Sequence, residues 1–171
     1  MIRISAFADE VSTAFKKQLE LLSTNGVGYL ELRFIDGMNI IDVDRNKWVY
    51  LKQMMDDYHI QVSAIASPIG KSCITSPFED EFIRFKRTVE IASIFETQFI
   101  RVFSYYPPLG SKIEDFRNEV LQRFHIQTSY LEGTDIIMVH ENESGIYGHS
   151  ASNCLDLMET IDSPSLRQAY D

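Results

Sequence analysis

Short apolar runs alternate with amphipathic segments along the chain. The apolar runs predict strands at residues 2–7, 28–32, 61–66, 99–103, 135–139 and 167–170. Between them, apolar residues recur three and four positions apart, as at Phe15, Leu19 and Leu22, which predicts five helices. This regular alternation is typical of a parallel sheet covered by helices. We therefore predict an α/β fold and a single domain over residues 1–171.

Two architectures fit this alternation. One is an open, doubly wound sheet of six strands, and the other is part of a (β/α)₈ barrel, which in full needs about 250 residues. A dinucleotide-binding sheet would carry a glycine-rich turn after its first strand. The sequence there is Phe7-Ala8-Asp9-Glu10-Val11, which disfavours a dinucleotide-binding sheet and leaves both architectures open.

Charge and composition exclude several partners. The net charge is -9, whereas a nucleic-acid surface needs clustered Lys and Arg, and an anionic membrane attracts basic segments. Cys73 and Cys154 have no spacing typical of a metal site or a disulfide framework. We therefore predict a cytoplasmic protein that binds neither nucleic acid nor membrane. Small acidic or phosphorylated substrates are not excluded, because a few local cations suffice to bind them.

The most informative segment is the apolar run 136–139, which ends in His140-Glu141-Asn142-Glu143. Polar groups beyond the carboxyl end of a buried parallel strand lie where α/β folds build their active sites. Glu141 could ligate a divalent cation or act as an acid/base. His140 could ligate a metal, bind substrate hydroxyls or be structural. Glu143 is a candidate for binding substrate hydroxyls.

Other candidate contacts follow earlier strands. Glu31 and Arg33 share one face of the second strand, as substrate ligands or as a structural ion pair, and Arg101 has the same position on the fourth strand. Lys71 is a candidate contact for phosphate or carboxylate, with a solvated surface lysine as the alternative. Tyr105 begins a stiff aromatic loop that could stack on a sugar or cover the mouth of a barrel.

Five stretches, in order, resemble the xylose isomerase-like TIM-barrel superfamily, in particular its sugar phosphate isomerase/epimerase branch. They are ISAFADE (4–10), YLELR (29–33), VSAIASPIGK (62–71), IRVFSYYPP (100–108), and HENE (140–143) followed by GIYG (145–148). The resemblance implies an incomplete TIM (β/α)₈ barrel with about six parallel strands and five helices, because the chain ends after the sixth strand.

The resemblance also implies a divalent metal, Mn, Mg, Co or Zn. Two of the family's metal ligands fall on Glu141 and Asp171, and Glu141 is also the implied catalytic acid/base. The family's later ligands have no counterpart within residues 1–171. A metal there would polarise a substrate carbonyl and favour removal of the neighbouring proton.

Several functions follow from these observations. The first is a divalent-metal-dependent isomerase or epimerase that abstracts a proton next to the carbonyl of a sugar, sugar phosphate or polyol. The alternative is a truncated, inactive fragment that forms homo-oligomers through open barrel edges. A dehydratase or other lyase is chemically close to the first hypothesis. An abasic-site endonuclease belongs to the same superfamily, but the acidic composition disfavours it.

Overall fold

The computed structural model describes residues 3–170. Its strands are β1 (Ser5–Ala6), β2 (Tyr29–Leu32), β3 (Phe34–Ile35), β4 (Met38–Asn39), β5 (Gln61–Ile65), β6 (Phe99–Val102), β7 (Ile137–Glu141) and β8 (Leu166–Ala169). Its helices are α1 (Phe15–Thr24), α2 (Arg45–Asp57), α3 (Phe78–Ile94), α4 (Arg117–Tyr130) and α5 (Ala151–Ile161). The prediction of an α/β fold with about six parallel strands and five helices is confirmed, and β3 and β4 form an additional pair.

The chain divides into two compact units. The first comprises Met1–Ser67 and Arg87–Phe99, and the second Pro68–Lys86 and Ile100–Asp171. A single domain over residues 1–171 therefore stays a prediction.

In the first unit, β2 lies between β1 and β5, and both pairings are parallel. Leu30 and Leu32 of β2 are buried. The predicted apolar face of α1 is buried through Phe15, Leu19 and Leu22, as the spacing of three and four residues requires.

A β-hairpin formed by β3 and β4 was missed at the level of sequence. Asp36 and Gly37 connect the two antiparallel strands, with φ angles of +51° and +79°. Asp-Gly is a strong signal for a two-residue hairpin turn, because both positions of that turn need a positive φ. The Asp36 carboxylate also accepts a 2.9 Å hydrogen bond from the backbone N–H of Phe15, at the start of α1.

In the second unit, β7 pairs with β8 in parallel, so that His140 lies opposite Gln168. β7 extends two residues beyond the predicted strand and includes His140 and Glu141. Because side chains alternate along a strand, His140 shares the buried face with Met138, while Glu141 lies on the other face. This alternation decides which of the two neighbours can belong to an exposed site.

The second unit also contains α4 and α5, and α5 packs against α4 and β8. α4 continues through residues 125–130 to Tyr130, although the segment HIQTSY has weak helix propensity. Gln127 and Thr128 are buried there, and the Thr128 hydroxyl donates to the Phe124 carbonyl at 3.0 Å. Tertiary burial thus outweighs weak helix propensity.

Among residues 3–170, no helix has both the length and the apolar character needed to cross a membrane.

Candidate active site at the ends of β6 and β7

An ion pair joins the two strands that carry the candidate site. Arg101 of β6 places Nη1 3.2 Å from Oε2 of Glu141, the last residue of β7. The side chains of Arg101 and Glu141 are 12% and 20% exposed. A charge at this depth requires a partner, because its desolvation would otherwise be costly. Arg101 therefore fixes the orientation of the carboxylate predicted to do chemistry.

Lys71, Tyr106 and Glu143 form a second polar cluster, and they lie in the segments that follow β5, β6 and β7. The Lys71 ammonium is 2.6 Å from Oε2 of Glu143, and the Tyr106 hydroxyl donates to Oε1 of the same carboxylate. Burial alone would raise the pKa of Glu143, but the hydrogen bonds from Lys71 and Tyr106 outweigh it and lower the pKa. The bond to Glu143 raises the pKa of the Tyr106 phenol to about 12. Glu143 is therefore an anion held by two donors.

The Phe103 ring connects the two polar groups. Lys71 Nζ lies 4.2 Å from the ring centroid, and the Arg101 guanidinium carbon lies 5.0 Å from it. Cations at these distances are attracted by the quadrupole of the ring. The ring therefore supports both cations from the buried side, and the paired carboxylates and cations are suited to bind a small molecule with several hydroxyl or anionic oxygens.

Gly70 allows the chain to bring Lys71 to this place. Its φ is +81°, and a Cβ atom built on it would lie 1.9 Å from the carbonyl oxygen of Phe103. The surrounding backbone is hydrogen-bonded, because Phe103 N–H donates to the Ile69 carbonyl at 2.7 Å and Tyr105 N–H donates to the Gly70 carbonyl at 2.8 Å. A residue with a side chain would therefore separate the two segments that form the cluster.

Tyr105 does not line an exposed surface. Its side chain is 0% exposed, and its ring packs edge-on against Phe124 at 6.5 Å. Burial raises the pKa of the Tyr105 phenol, and Glu81 reinforces the effect. A ring without an exposed face cannot stack on a sugar, so the structure gives the aromatic contact with the cluster to Tyr106.

His140 is also fully buried, on the face of β7 opposite to Glu141. Its Nε2 lies 2.9 Å from the Ser104 hydroxyl, and its Nδ1 lies 3.0 Å from Oε1 of Gln168. Burial lowers the pKa of His140 to about 4. The ring is therefore neutral near pH 7, and the structure supports the structural alternative stated for it.

Arg33, in the first unit, pairs with acidic residues of the FADE stretch. Its Nε lies 2.9 Å from Asp9 and its Nη2 3.2 Å from Glu10, while the guanidinium carbon lies 4.6 Å from the Phe7 ring centroid. Burial alone would lower the pKa of Arg33, but the bond with Asp9 and the charge of Glu10 raise it. Glu31 lies on β2 at intermediate burial. Their contact with substrate stays a prediction.

The described residues do not by themselves form a metal site. Within residues 3–170, no group of three His, Cys, Asp or Glu side chains could hold a metal ion. Glu141, the predicted ligand, is paired with a guanidinium instead. Asp171, the second predicted ligand, lies outside the described residues.

Sequence reasoning did not select several residues of this region: Ser104, Gln168 and the two close-packed glycines Gly70 and Gly148. Tyr106 was recognised as part of an aromatic loop, but Tyr105 was selected. Tyr105 adopts a φ of +67°, so the direction of its side chain does not follow from the alternation along β6. The GIYG stretch carried a usable signal, because glycine between larger residues often marks a close approach of the backbone.

A family model for the xylose isomerase-like TIM barrel matches residues 19–171. The chain belongs to this family. No curated protein matches the sequence.

Solved structures of this family share the fold. The probable 3-DHS dehydratase AsbF of Bacillus anthracis has a TM-score of 0.81 at 16% identity over 99% of this chain and 63% of its own. An AP endonuclease of family 2 from Brucella melitensis has a TM-score of 0.77 at 16% identity, covering 98% of this chain and 67% of its own. A D-psicose 3-epimerase has a TM-score of 0.77 at 11% identity, covering 99% of this chain and 63% of its own.

These identities support the fold and no particular activity. The chain spans about 63% of the length of AsbF and of the epimerase. Metal binding occurs among the neighbours, since the IOLI protein, with a TM-score of 0.76, contains a bound zinc atom.

Proposed function

We propose that this chain carries part of the active site of an isomerase or epimerase acting on a sugar, sugar phosphate or polyol. The observation that carries the proposal is the Arg101-bound carboxylate of Glu141 at the carboxyl end of β7. Catalytic groups of TIM barrels come from this end of the strands. The family includes an epimerase of the same fold, which supports the choice of reaction class.

In this proposal Glu141 moves the proton on the carbon next to the substrate carbonyl. Arg101 binds Oε2 of Glu141 and orients the carboxylate, and we assign the proton transfer to Oε1. A general base must lie within hydrogen-bonding reach of its proton, so a fixed carboxylate favours the reaction over a freely rotating one.

Lys71, Tyr106 and Glu143 bind substrate oxygens in this proposal. Without substrate, Lys71 and Tyr106 both bind the Glu143 carboxylate. A hydroxyl or anionic group of the substrate replaces one of these partners when it binds. The Lys71 ammonium suits a phosphate or carboxylate, whereas Glu143 accepts from hydroxyls. Phe103 is buried, so it supports the Lys71 ammonium through the face of its ring and does not contact substrate itself.

A divalent cation, when bound, would polarise the substrate carbonyl. The described residues do not fit a complete metal site, and we assign no step of the proton transfer to a metal.

Exchange of substrate protons with solvent tests the proposal. The protein is incubated in D₂O with a panel of aldoses, ketoses and their phosphates, each with and without Mg²⁺, Mn²⁺, Co²⁺ or Zn²⁺. Mass spectrometry then measures deuterium on the carbon next to the carbonyl. We expect incorporation that falls about 100-fold or more in E141Q, because proton transfer by a positioned base contributes about 10²–10⁴-fold.

The matched control is E132Q, since Glu132 is an exposed carboxylate of the same unit. It should exchange as the wild type does. Exchange that is equal in E141Q and wild type, or absent with every sugar and metal, overturns the proposal.

The second candidate is a dehydratase, the activity named for AsbF, whose fold this chain shares over 99% of its length. It too begins with removal of a proton next to a carbonyl. Loss of water from a β-hydroxy carbonyl substrate forms a conjugated product, so ultraviolet absorbance distinguishes it from epimerisation. The remaining alternative, an inactive fragment that self-associates, predicts a concentration-dependent mass in sedimentation together with no deuterium exchange.

A further inference from the structure

A buried chain of hydrogen bonds lies behind the candidate site, on the face of β7 opposite to Glu141. The side chains of Ser104 and His140 are both 0% exposed. Ser104 Oγ lies 2.9 Å from His140 Nε2, and His140 Nδ1 lies 3.0 Å from Oε1 of Gln168 on β8. The backbone N–H of Gly148 donates to Ser104 Oγ at 2.7 Å. Three groups from separate segments thus meet at one histidine ring.

The bonding partners fix the direction of every proton in this chain. The Gln168 amide nitrogen donates to the Ala169 carbonyl at 2.7 Å, which turns Oε1 toward the ring as an acceptor. His140 Nδ1 therefore carries the proton, and Nε2 accepts. Ser104 donates its hydroxyl proton to Nε2 and accepts from Gly148 on a lone pair. No donor meets another donor, so the chain is complete with a neutral imidazole.

The segment after Glu141 is held by close contact as well as by hydrogen bonds. A Cβ atom on Gly148 would lie 2.2 Å from Cε1 of His140 and 3.1 Å from Ser104 Oγ. The Cys154 thiol donates to the Gly148 carbonyl at 3.2 Å. Both backbone polar groups of Gly148 are thereby bound, and the absence of a side chain lets the backbone pack on the imidazole.

We propose that Ser104, His140 and Gln168 are positioning residues that fix the backbone between Glu141 and Gly148. His140 precedes Glu141 directly, and Gly148 ends the segment that contains Glu143, so both ends of the segment are bound to one buried network. The network sets the place of two carboxylates without touching the substrate. The expected effect on kcat rests on the proposed function, whereas the expected effect on the backbone of residues 141–148 does not.

The structural consequence is tested first, without any substrate. In ¹⁵N NMR of the wild type we expect His140 with a protonated Nδ1 and an unprotonated Nε2. In S104A the Gly148 amide loses its acceptor, so its hydrogen exchange should accelerate at least 10-fold, and amide shifts should change throughout residues 141–147. The control S129A removes an exposed hydroxyl of the same unit.

Two results of this experiment overturn the inference. One is protonation of His140 Nε2 in the wild type, which would reverse the direction of the hydrogen bonds described above. The other is a folded S104A protein whose shift changes stop at the immediate neighbours of residue 104.

The kinetic consequence is tested by the deuterium exchange assay. We expect S104A to lower kcat about 10- to 100-fold and to raise KM by a smaller factor, because misplacement of the proton-transferring carboxylate is more costly than displacement of one of several substrate contacts, at Glu143. S104C keeps a weaker donor and acceptor and should recover part of kcat. Thermal unfolding of each variant gives the fraction folded at the assay temperature, and kcat is calculated for the folded fraction.

The two proposals fail in different ways. If the wild type shows no exchange with any sugar, the proposed function fails, and the NMR result alone decides the positioning role. If the wild type is active and folded S104A retains full kcat, the proposed function stands and the positioning role is overturned.

Discussion

Arg101 and Glu141 lie on neighbouring strands and bind each other at 3.2 Å, so the candidate base is oriented by a cation. A double-mutant cycle with R101Q and E141Q measures this relationship. We expect a coupling free energy of unfolding of about 1.5–3 kcal/mol, typical of a hydrogen bond between charged groups at low exposure. Urea unfolding of the four proteins gives the value. A coupling below about 0.5 kcal/mol, the usual range of independent sites, would contradict it.

Gly70 should tolerate no side chain. Gly70→Ala introduces both a strained positive φ and a contact of 1.9 Å with the Phe103 carbonyl oxygen. Gly110→Ala is the matched control, because Gly110 has a φ of +83° with nothing within 4 Å of the added Cβ. Both changes carry the strain of about 1–2 kcal/mol, and G70A should lose at least about 2 kcal/mol more. Equal losses in urea unfolding would show that the contact relaxes without cost.

Removal of the Glu143 charge should bring the Tyr106 phenol back toward ordinary ionisation. The pKa of Tyr106 is raised to about 12 in the wild type, first through its bond to Glu143. In E143Q we expect one more tyrosine to ionise near pH 10, the usual value, as measured by phenolate absorbance. The control pair Y106F and Y106F/E143Q should titrate identically. An unchanged curve in E143Q would place the cause of the shift elsewhere.

Asp156 should stabilise the fold near neutral pH and lose this effect in acid. Arg117 donates two hydrogen bonds to this carboxylate, at 2.9 and 2.6 Å, and thereby lowers its pKa in the folded protein. A lowered pKa gives stability that is present above the unfolded pKa, near 4, and is lost as the pH falls through the folded pKa. The difference in unfolding free energy between wild type and D156N should therefore shrink between pH 6 and pH 3.

The matched control for that series is D135N, because Asp135 is an exposed carboxylate of the same unit. It removes one negative charge without removing a described hydrogen bond to a cation, so D156N is compared with it at each pH. A constant difference for D156N would show that its carboxylate gains nothing from ionisation in the folded protein.

Much of the fold followed from local pattern. Apolar runs and helical spacing located the parallel strands and the five helices, because burial imposes a period of two on strands and 3.6 on helices. The Asp36-Gly37 turn was equally local, and its signal was available. The end of α4 was different, since burial of Gln127 and Thr128 is a tertiary fact that outweighs their propensity.

The candidate site was only partly encoded in this way. The segment 140–143 directed the search to the end of β7, because α/β folds build their active sites beyond the carboxyl ends of parallel strands. The local pattern did not encode which side chains face the site. His140 is buried because β7 continues through it to Glu141, and the direction of Tyr105 depends on its positive φ.

By itself, the sequence determined the fold class, the order of its elements and the segment where the chemistry is to be sought. Tertiary structure alone decided the partners: Lys71 with Glu143, Arg101 with Glu141, and Ser104 with His140. The physical reason is the range of the interactions. Periodicity records what each residue does relative to its neighbours in the chain, whereas a hydrogen bond or ion pair between distant segments depends on their folded positions.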